Sequence, residues 1–238
     1  MAENKKPIEG IIPAVLTPLQ ENGSVDMKEL ERQVAYLVDA GVDGLFIGGT
    51  TAEGPLLTAE ERKAAFKLAK EVGAGRVTLY VVILRPHTEQ VIAELRDLVS
   101  LEPAYAAAVT PFYYTVSQET IVDHYRRIAD ASEVPVMLYN IPQNTHNPME
   151  LSSILSLAEH PNIVGIKDSS GAFVPFSQGM LTPIEGAFAW IQGEDLLDAA
   201  SLLFGAPGIV TGLGNVWIEP YVEMYRAARA GEDETAKE

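Results

Sequence analysis

The chain has 238 residues and no cysteine, and its 17 basic and 33 acidic side chains give a formal charge of −16. The lack of cysteine excludes a disulfide framework, a thiolate zinc site, an iron–sulfur cluster and a cysteine nucleophile. The negative charge argues against nucleic-acid or anionic-lipid partners. Residues 1–6 are polar and no run of about 18 apolar residues occurs, so we expect a cytoplasmic protein with no membrane span.

Short apolar runs alternate with longer amphipathic stretches along the whole chain. The apolar runs predict strands at residues 11–16, 44–47, 78–84, 105–109, 134–139, 163–167, 187–191 and 208–211. The amphipathic stretches predict helices at residues 27–40, 59–72, 89–100, 118–131, 149–158, 172–181, 196–204 and 218–230. Nearly every strand residue is apolar, which is typical of parallel strands that are buried on both faces.

Two helix starts carry the sequence signature of a capping box. Asp26 is followed by Glu29, and Thr58 by Glu61. Gly41 and Gly73 are predicted to follow the ends of these two helices.

Eight strand–helix units within about 230 residues predict a single TIM (β/α)8 barrel, and we expect one domain over residues 1–238. A doubly wound sheet is the alternative, but Thr17-Pro18-Leu19-Gln20 after the first strand is not a dinucleotide-binding fingerprint. In such barrels the catalytic groups lie at the carboxyl ends of the strands. The polar residues that follow each strand are therefore the candidate site.

Lys167 ends an apolar strand and is the most informative of these residues. Burial disfavours the charged form of an amine, and the neutral amine is a nucleophile toward carbonyl carbon. Tyr139 ends the preceding strand, about 5 Å away, where its hydroxyl can exchange protons with the amine. The alternatives are a lysine that reaches water or pairs with Asp168, and a core tyrosine with a satisfied hydroxyl.

The segment from Gly48 to Gly54 follows the second strand. Its glycines expose backbone N–H groups, and Thr50 and Thr51 add hydroxyl donors. Such a loop can hold a small carboxylate without a cation, which suits a strongly acidic protein. The alternative is an ordinary tight loop.

Two other features carry weaker signals. The histidines lack metal-ligand spacing, so no metal site is expected; they are His87, His124, His146 and His160. Gly212-Leu213-Gly214, near the last strand, fits either a phosphate cradle or a simple turn.

Four motifs occur in order along the chain. They are Gly49-Thr50-Thr51-x-Glu53-Gly54, Thr110-Pro111-Phe112-Tyr113, Tyr139-Asn140-Ile141-Pro142 and Gly165-Ile166-Lys167-Asp168. Together they resemble the dihydrodipicolinate synthase / N-acetylneuraminate lyase family of class I aldolases. The resemblance runs from Gly10 to Asn215.

The resemblance implies a TIM barrel in which Lys167 forms a Schiff base with pyruvate or another 2-oxo acid. It assigns Tyr139 the role of general acid and base. It also implies that Thr50 and Thr51 bind the carboxylate of the 2-oxo acid.

The same resemblance assigns further roles. Thr51 would relay protons toward Tyr113, a residue that reaches into the site of a neighbouring subunit. Gly193 and Val210 would line the pyruvate pocket. The resemblance also implies a homodimer or homotetramer that uses no metal or organic cofactor.

Asn144 departs from the family pattern, because dihydrodipicolinate synthases have an arginine at this position. A neutral amide cannot replace a bidentate guanidinium. The sequence therefore favours a pyruvate-dependent aldolase or lyase that acts on a hydroxylated 2-oxo acid, such as a keto-deoxy sugar acid, and releases an aldehyde. The alternatives are a dihydrodipicolinate synthase-like synthase or hydro-lyase using the same imine, a non-catalytic barrel that binds a 2-oxo acid, and a phosphosugar isomerase.

Two further segments depart from the family. Residues 82–86 replace a glycine-rich strand end, and Arg85 there is either a candidate to bind a distal carboxylate or an exposed loop arginine. Residues 231–238 read as a charged tail, so we expect the C-terminal helices of the family to be missing or shortened.

Overall fold

The computed structural model describes residues 8–237, which contain one sheet of eight parallel strands. The strands are β1 (Gly10–Ile11), β2 (Gly44–Ile47), β3 (Thr78–Ile83), β4 (Tyr105–Val109), β5 (Val136–Asn140), β6 (Ile163–Asp168), β7 (Ala189–Gln192) and β8 (Gly208–Ile209). Their order is β1-β8-β7-β6-β5-β4-β3-β2, so each strand after β2 pairs with the strand before it in sequence.

The chain beyond β1 closes the sheet against β2. Phe46 N–H donates to the Pro13 carbonyl at 2.9 Å, and Val15 N–H donates to the Phe46 carbonyl at 3.1 Å. The eight strands thus form a TIM barrel, as the sequence predicted. The first strand, Gly10–Ile11, is shorter than predicted, although Ile12 and Ala14 continue to donate backbone hydrogen bonds to the β8 segment.

Ten α-helices lie within residues 8–237. They are α1 (Met27–Asp39), α2 (Ala59–Gly73), α3 (Thr88–Leu98), α4 (Gln118–Ala131), α5 (Pro142–Thr145), α6 (Leu151–Ala158), α7 (Phe173–Leu181), α8 (Asp198–Leu203), α9 (Glu219–Ala230) and α10 (Asp233–Lys237). The short helix α5 was not predicted. Helix α10 corrects the expectation of a charged tail, since it buries Ala236. None of these helices is long and apolar enough to cross a lipid bilayer.

The strands are buried on both faces, which explains their continuous apolar sequences. In β3, Leu79, Val81 and Ile83 belong to the layer between barrel and helices, whereas Tyr80 and Val82 point into the barrel. Successive side chains point to opposite faces, so this period of two recurs in the other strands, but in β6 a register shift against β5 leaves both Ile163 and Ile166 in the outer layer. The alternation decides which residue at each strand end faces the barrel interior.

The predicted caps are only partly confirmed. Thr58 and Glu61 form a reciprocal capping box. Asp26 caps α1 through the backbone N–H groups of Lys28 and Glu29, but the Glu29 side chain pairs with Arg32 at 2.8 Å.

The two predicted helix-ending glycines differ. Gly41 follows α1 with a φ of +88°, as predicted. Gly73 does not follow α2 but is its last residue, and Ala74 takes the left-handed conformation at the cap instead.

Candidate active site

Lys167 and Tyr139 face each other inside the barrel. They are register partners on β6 and β5, and the Lys167 amine donates a 3.0 Å hydrogen bond to the Tyr139 hydroxyl. The amine lies 4.7 Å from the centre of the Phe46 ring, and Lys167 is only 4% exposed. The amine therefore sits in a largely apolar chamber with one hydroxyl as its hydrogen-bond partner.

The alternation of β6 explains why the amine points inward. Ile166 packs in the layer beneath the helices, so the next residue must face the barrel. Asp168 does not pair with the lysine. Its carboxylate accepts hydrogen bonds from the Asn140 side chain at 3.0 Å and the Ser170 N–H at 2.9 Å.

The loop after β2 brings one threonine to this pair. The Thr50 hydroxyl lies 3.3 Å from the Tyr139 hydroxyl. Thr50 is thus the threonine next to Tyr139, while the relay from Thr51 toward Tyr113 of a neighbouring subunit stays a prediction. Thr51 instead lies beside Gly212, which follows β8. A Cβ added to Gly212 would be 3.6 Å from the Thr51 hydroxyl oxygen. The two neighbouring hydroxyls thus point toward different parts of the site.

Gly193 lies against the side chain of Lys167, and Val210 belongs to the inner cluster of the barrel. A Cβ at Gly193 would stand 2.8 Å from Cε of Lys167 and 2.4 Å from Oγ of Ser169, so a side chain has no room there. Val210 is buried in the same inner cluster as Tyr139 and Ile191. These residues form walls of the chamber next to the lysine.

Tyr113 and Asn144 lie outside this chamber. Tyr113 is 82% exposed with a φ of 80°, an uncommon conformation for an aromatic residue. The described contacts do not connect it to either threonine. Asn144 is exposed on α5, and its side chain makes no hydrogen bond within residues 8–237.

Asn147, which the sequence analysis missed, holds the Tyr113 loop. Its buried side chain donates to the carbonyls of Pro111 and Tyr114, both at 2.8 Å, and accepts from the Val116 N–H. The amide therefore fixes both sides of the exposed tyrosine. Nothing in the sequence marks this asparagine, since its partners are backbone groups more than thirty residues away.

Arg85, the candidate for binding a distal carboxylate, is paired with an acidic side chain of its own chain. Its Nε lies 2.5 Å from the Glu94 carboxylate, which also pairs with Arg62. This contact engages only Nε of Arg85, and the binding of a distal carboxylate by its guanidinium stays a prediction.

The phosphate cradle suggested for residues 212–214 is not present. The Gly212 N–H donates to the Asp195 carboxylate at 3.2 Å, and the Gly214 N–H donates to the Thr211 hydroxyl at 2.9 Å. A carboxylate at this position repels phosphate. The phosphosugar isomerase alternative loses its only support.

An acidic pair after β7 is a second feature that the sequence analysis missed. Asp195 accepts hydrogen bonds from the hydroxyls of Thr211 at 2.5 Å and Tyr221 at 3.2 Å. Asp198, the first residue of α8, is 1% exposed, and neither of its carboxyl oxygens has a hydrogen-bond partner among the described residues. Burial, helped by Asp195 and Glu194, raises the pKa of Asp198 to about 9.

Asp198→Asn is expected to stabilise the protein increasingly as the pH rises. Because folding raises the pKa of the Asp198 carboxyl, the protonated carboxyl is favoured in the folded state. The contribution of this carboxyl to the stability of the wild type is fully present only near pH 4 or below. This stabilisation is lost as the pH rises toward 9. The difference in free energy of unfolding between variant and wild type should grow by roughly 1 kcal/mol per pH unit between about pH 5 and 8.

Urea unfolding at three pH values within that range measures this difference. Asp233→Asn, at an exposed position on α10, is the matched control and should show no such trend. A pH-independent difference for Asp198→Asn would mean that this carboxyl is ionised in the folded protein.

Comparison with known families decides how this chamber is classified. The model of the dihydrodipicolinate synthetase family matches residues 7–238. The chain belongs to this family. It is therefore an enzyme, a class I lyase of the Schiff-base type that acts on pyruvate, and the non-catalytic alternative is set aside.

Two relatives show how the family varies around this chain. The 4-hydroxy-tetrahydrodipicolinate synthase of Azoarcus sp. (strain BH72) is 34% identical over 230 residues, which cover 97% of this chain and 78% of the relative. An uncharacterized DapA-like lyase of Halobacterium salinarum is 35% identical over 231 residues, which cover 97% of this chain and 75% of the relative.

Solved structures of the family share the barrel. The chloride-inhibited dihydrodipicolinate synthase of Acinetobacter baumannii, complexed with pyruvate, gives a TM-score of 0.92 at 31% identity and covers 97% of this chain and 79% of its own. YagE, a prophage protein of the dihydrodipicolinic acid synthase family from E. coli K12, also in complex with pyruvate, gives a TM-score of 0.90 at 29% identity. The match covers 97% of this chain and 78% of the YagE chain.

Proposed function

We propose that this protein is an aldolase that cleaves a hydroxylated 2-oxo acid, such as a keto-deoxy sugar acid, to pyruvate and an aldehyde. The observation that carries the proposal is the buried amine of Lys167, 3.0 Å from the Tyr139 hydroxyl and held in an apolar chamber. The reaction is reversible, so the same site also joins pyruvate to an aldehyde.

In the first stage, Lys167 attacks the C2 ketone of the substrate. The carbinolamine that forms loses its oxygen as water, and Tyr139 transfers the proton that this step requires. The resulting protonated imine is an electron sink next to the bond that breaks. Its formation needs no metal and no organic cofactor.

In the second stage, the bond between C3 and C4 breaks and its electron pair moves toward the imine nitrogen. Tyr139 accepts the proton of the C4 hydroxyl, and the aldehyde leaves. The enamine that remains takes up a proton at C3, and water then releases pyruvate and free Lys167. The Thr50 hydroxyl, 3.3 Å from Tyr139, is the next group through which the proton passes.

The other site residues bind and orient the substrate. We assign the carboxylate of the 2-oxo acid to the loop that carries Thr50 and Thr51, and the walls around its methylene to Gly193 and Val210. Tyr113 acts from a neighbouring subunit in a homodimer or homotetramer. Its exposed side chain and unusual backbone conformation support a contact outside its own chain.

Asn144 supports a hydroxylated substrate. Its amide lies exposed after β5 and can both donate to and accept from hydroxyl groups. The second candidate, a synthase that condenses pyruvate with aspartate semialdehyde, is favoured by the names of several relatives, among them the protein of Azoarcus. That reaction requires recognition of a second carboxylate, for which a neutral amide is poorly suited.

A substrate panel separates the two candidates. Pyruvate release is measured from several keto-deoxy sugar acids, and pyruvate consumption is measured with aspartate semialdehyde. We expect release from at least one sugar acid and no response to the semialdehyde. Efficient condensation with the semialdehyde, with every sugar acid inert, would establish the synthase instead.

A further inference from the structure

Three charged side chains form a network behind the loop that follows β2. Arg62 on α2 lies 2.7 Å from one oxygen of Glu94 on α3, and Arg85 after β3 lies 2.5 Å from the other. Arg62 and Glu94 are 7% and 11% exposed. Burying charged groups costs free energy unless ion pairs and hydrogen bonds compensate for the lost hydration. The groups that the Arg62 guanidinium contacts therefore indicate its role.

The far end of Arg62 binds the loop itself. Its Nη1 donates to the carbonyl of Leu57 at 2.5 Å and to the carbonyl of Gly54 at 3.2 Å. Gly54 in turn donates its N–H to the Gly49 carbonyl at 3.1 Å. The guanidinium therefore holds the point where the loop closes on itself.

The two ends of this loop are in direct contact. A Cβ on Gly54 would lie 2.0 Å from the Gly48 carbonyl oxygen, so the backbones touch with no space between them. Glu53 N–H also bonds the Thr50 carbonyl at 3.0 Å. A displacement of Gly54 is thus passed to Thr50, whose hydroxyl lies 3.3 Å from Tyr139.

We propose that Arg62, fixed by Glu94, is a positioning residue that holds the loop in the shape that receives the carboxylate of the 2-oxo acid. Arg62 acts through Gly54 and Leu57 and does not touch the substrate. The inference rests on the proposed role of this loop in substrate binding. It assigns a function to three charges that the proposed reaction does not otherwise use.

Arg62→Lys tests this role, because lysine keeps the charge but cannot reach two carbonyls and a carboxylate at once. The variant is incubated with increasing pyruvate, reduced with borohydride, and the modified fraction is measured by mass spectrometry. We expect the half-saturating pyruvate concentration to rise about tenfold, the effect of losing one charge-assisted hydrogen bond. The modified fraction at saturation should stay unchanged.

Arg32→Lys is the matched control, since Arg32 is an exposed helical arginine that also pairs with a glutamate. It should leave the pyruvate dependence unchanged. Amide hydrogen exchange gives an independent readout: Glu53 and Gly54 should exchange faster in Arg62→Lys than in the control.

The possible outcomes distinguish failure of the proposed function from failure of the positioning role of Arg62. If the unsubstituted protein is not modified at all, the proposed function fails, and this inference fails with it. If it is modified and Arg62→Lys shows the same pyruvate dependence, only the positioning role is overturned. A lower melting temperature with an unmoved pyruvate curve would also overturn it, because Arg62 would then be purely structural.

Discussion

Lys167→Ala is expected to abolish the pyruvate adduct and to lower kcat/KM by at least about a thousandfold, because no other nucleophile replaces the amine that forms the imine. In the wild type, incubation with pyruvate and borohydride should add the mass of one reduced pyruvate at Lys167. Peptide mapping of the reduced protein locates the modified residue.

Lys67→Ala is the control for this experiment. Lys67 lies on the exposed side of α2, so its loss should change neither the adduct nor the rate. Circular dichroism establishes that both variants fold. Equal labelling of wild type and Lys167→Ala would contradict the proposed mechanism, since the modified amine would then lie elsewhere.

Tyr139→Phe is expected to lower kcat by about a hundred- to a thousandfold, the usual effect of removing a general acid and base. The substitution keeps the ring, which packs edge-on against Phe46 with 5.7 Å between ring centres. It removes only the hydroxyl that accepts from Lys167 and contacts Thr50. Stopped-flow measurement of imine formation and of pyruvate release should show that both steps slow.

Tyr80→Phe is the matched control, because Tyr80 is also a fully buried barrel tyrosine but lies deeper, stacked on Tyr105. Its loss should leave kcat within about twofold, since no reacting atom is near its hydroxyl. A normal rate for Tyr139→Phe would assign the proton transfer to another group, and Thr50 would be the next candidate.

The barrel and its lysine–tyrosine pair were predictable because they follow from local patterns. Eight apolar runs separated by amphipathic stretches define the strands, and Lys167 ends one of them, at the end of the barrel where catalytic groups lie. The pairing of β5 with β6 follows from parallel strands joined in chain order. None of this needs knowledge of distant contacts.

The rest depends on contacts between distant residues. Thr50 and Thr51 are chemically identical neighbours, and only the turn that closes at Gly54 decides which hydroxyl meets Tyr139. The sequence does not reveal that Arg85 is paired, because its partner, Glu94, lies nine residues further along the chain on α3. Asp198 begins a helix, where an acidic side chain is usually exposed and interacts favourably with the helix dipole. The packing of α8 buries it instead.

Aromatic rings occupy the barrel interior around and below Lys167. Phe46 lies next to the lysine, and Tyr80 and Tyr105 stack below it toward the other end of the barrel. Within residues 8–237, these rings occupy the interior below the lysine, so we expect a ligand to reach the amine from the mouth formed by the loops. Exchange of those loops can change the second substrate that the enzyme accepts while the barrel stays intact, so a single scaffold can diversify without refolding.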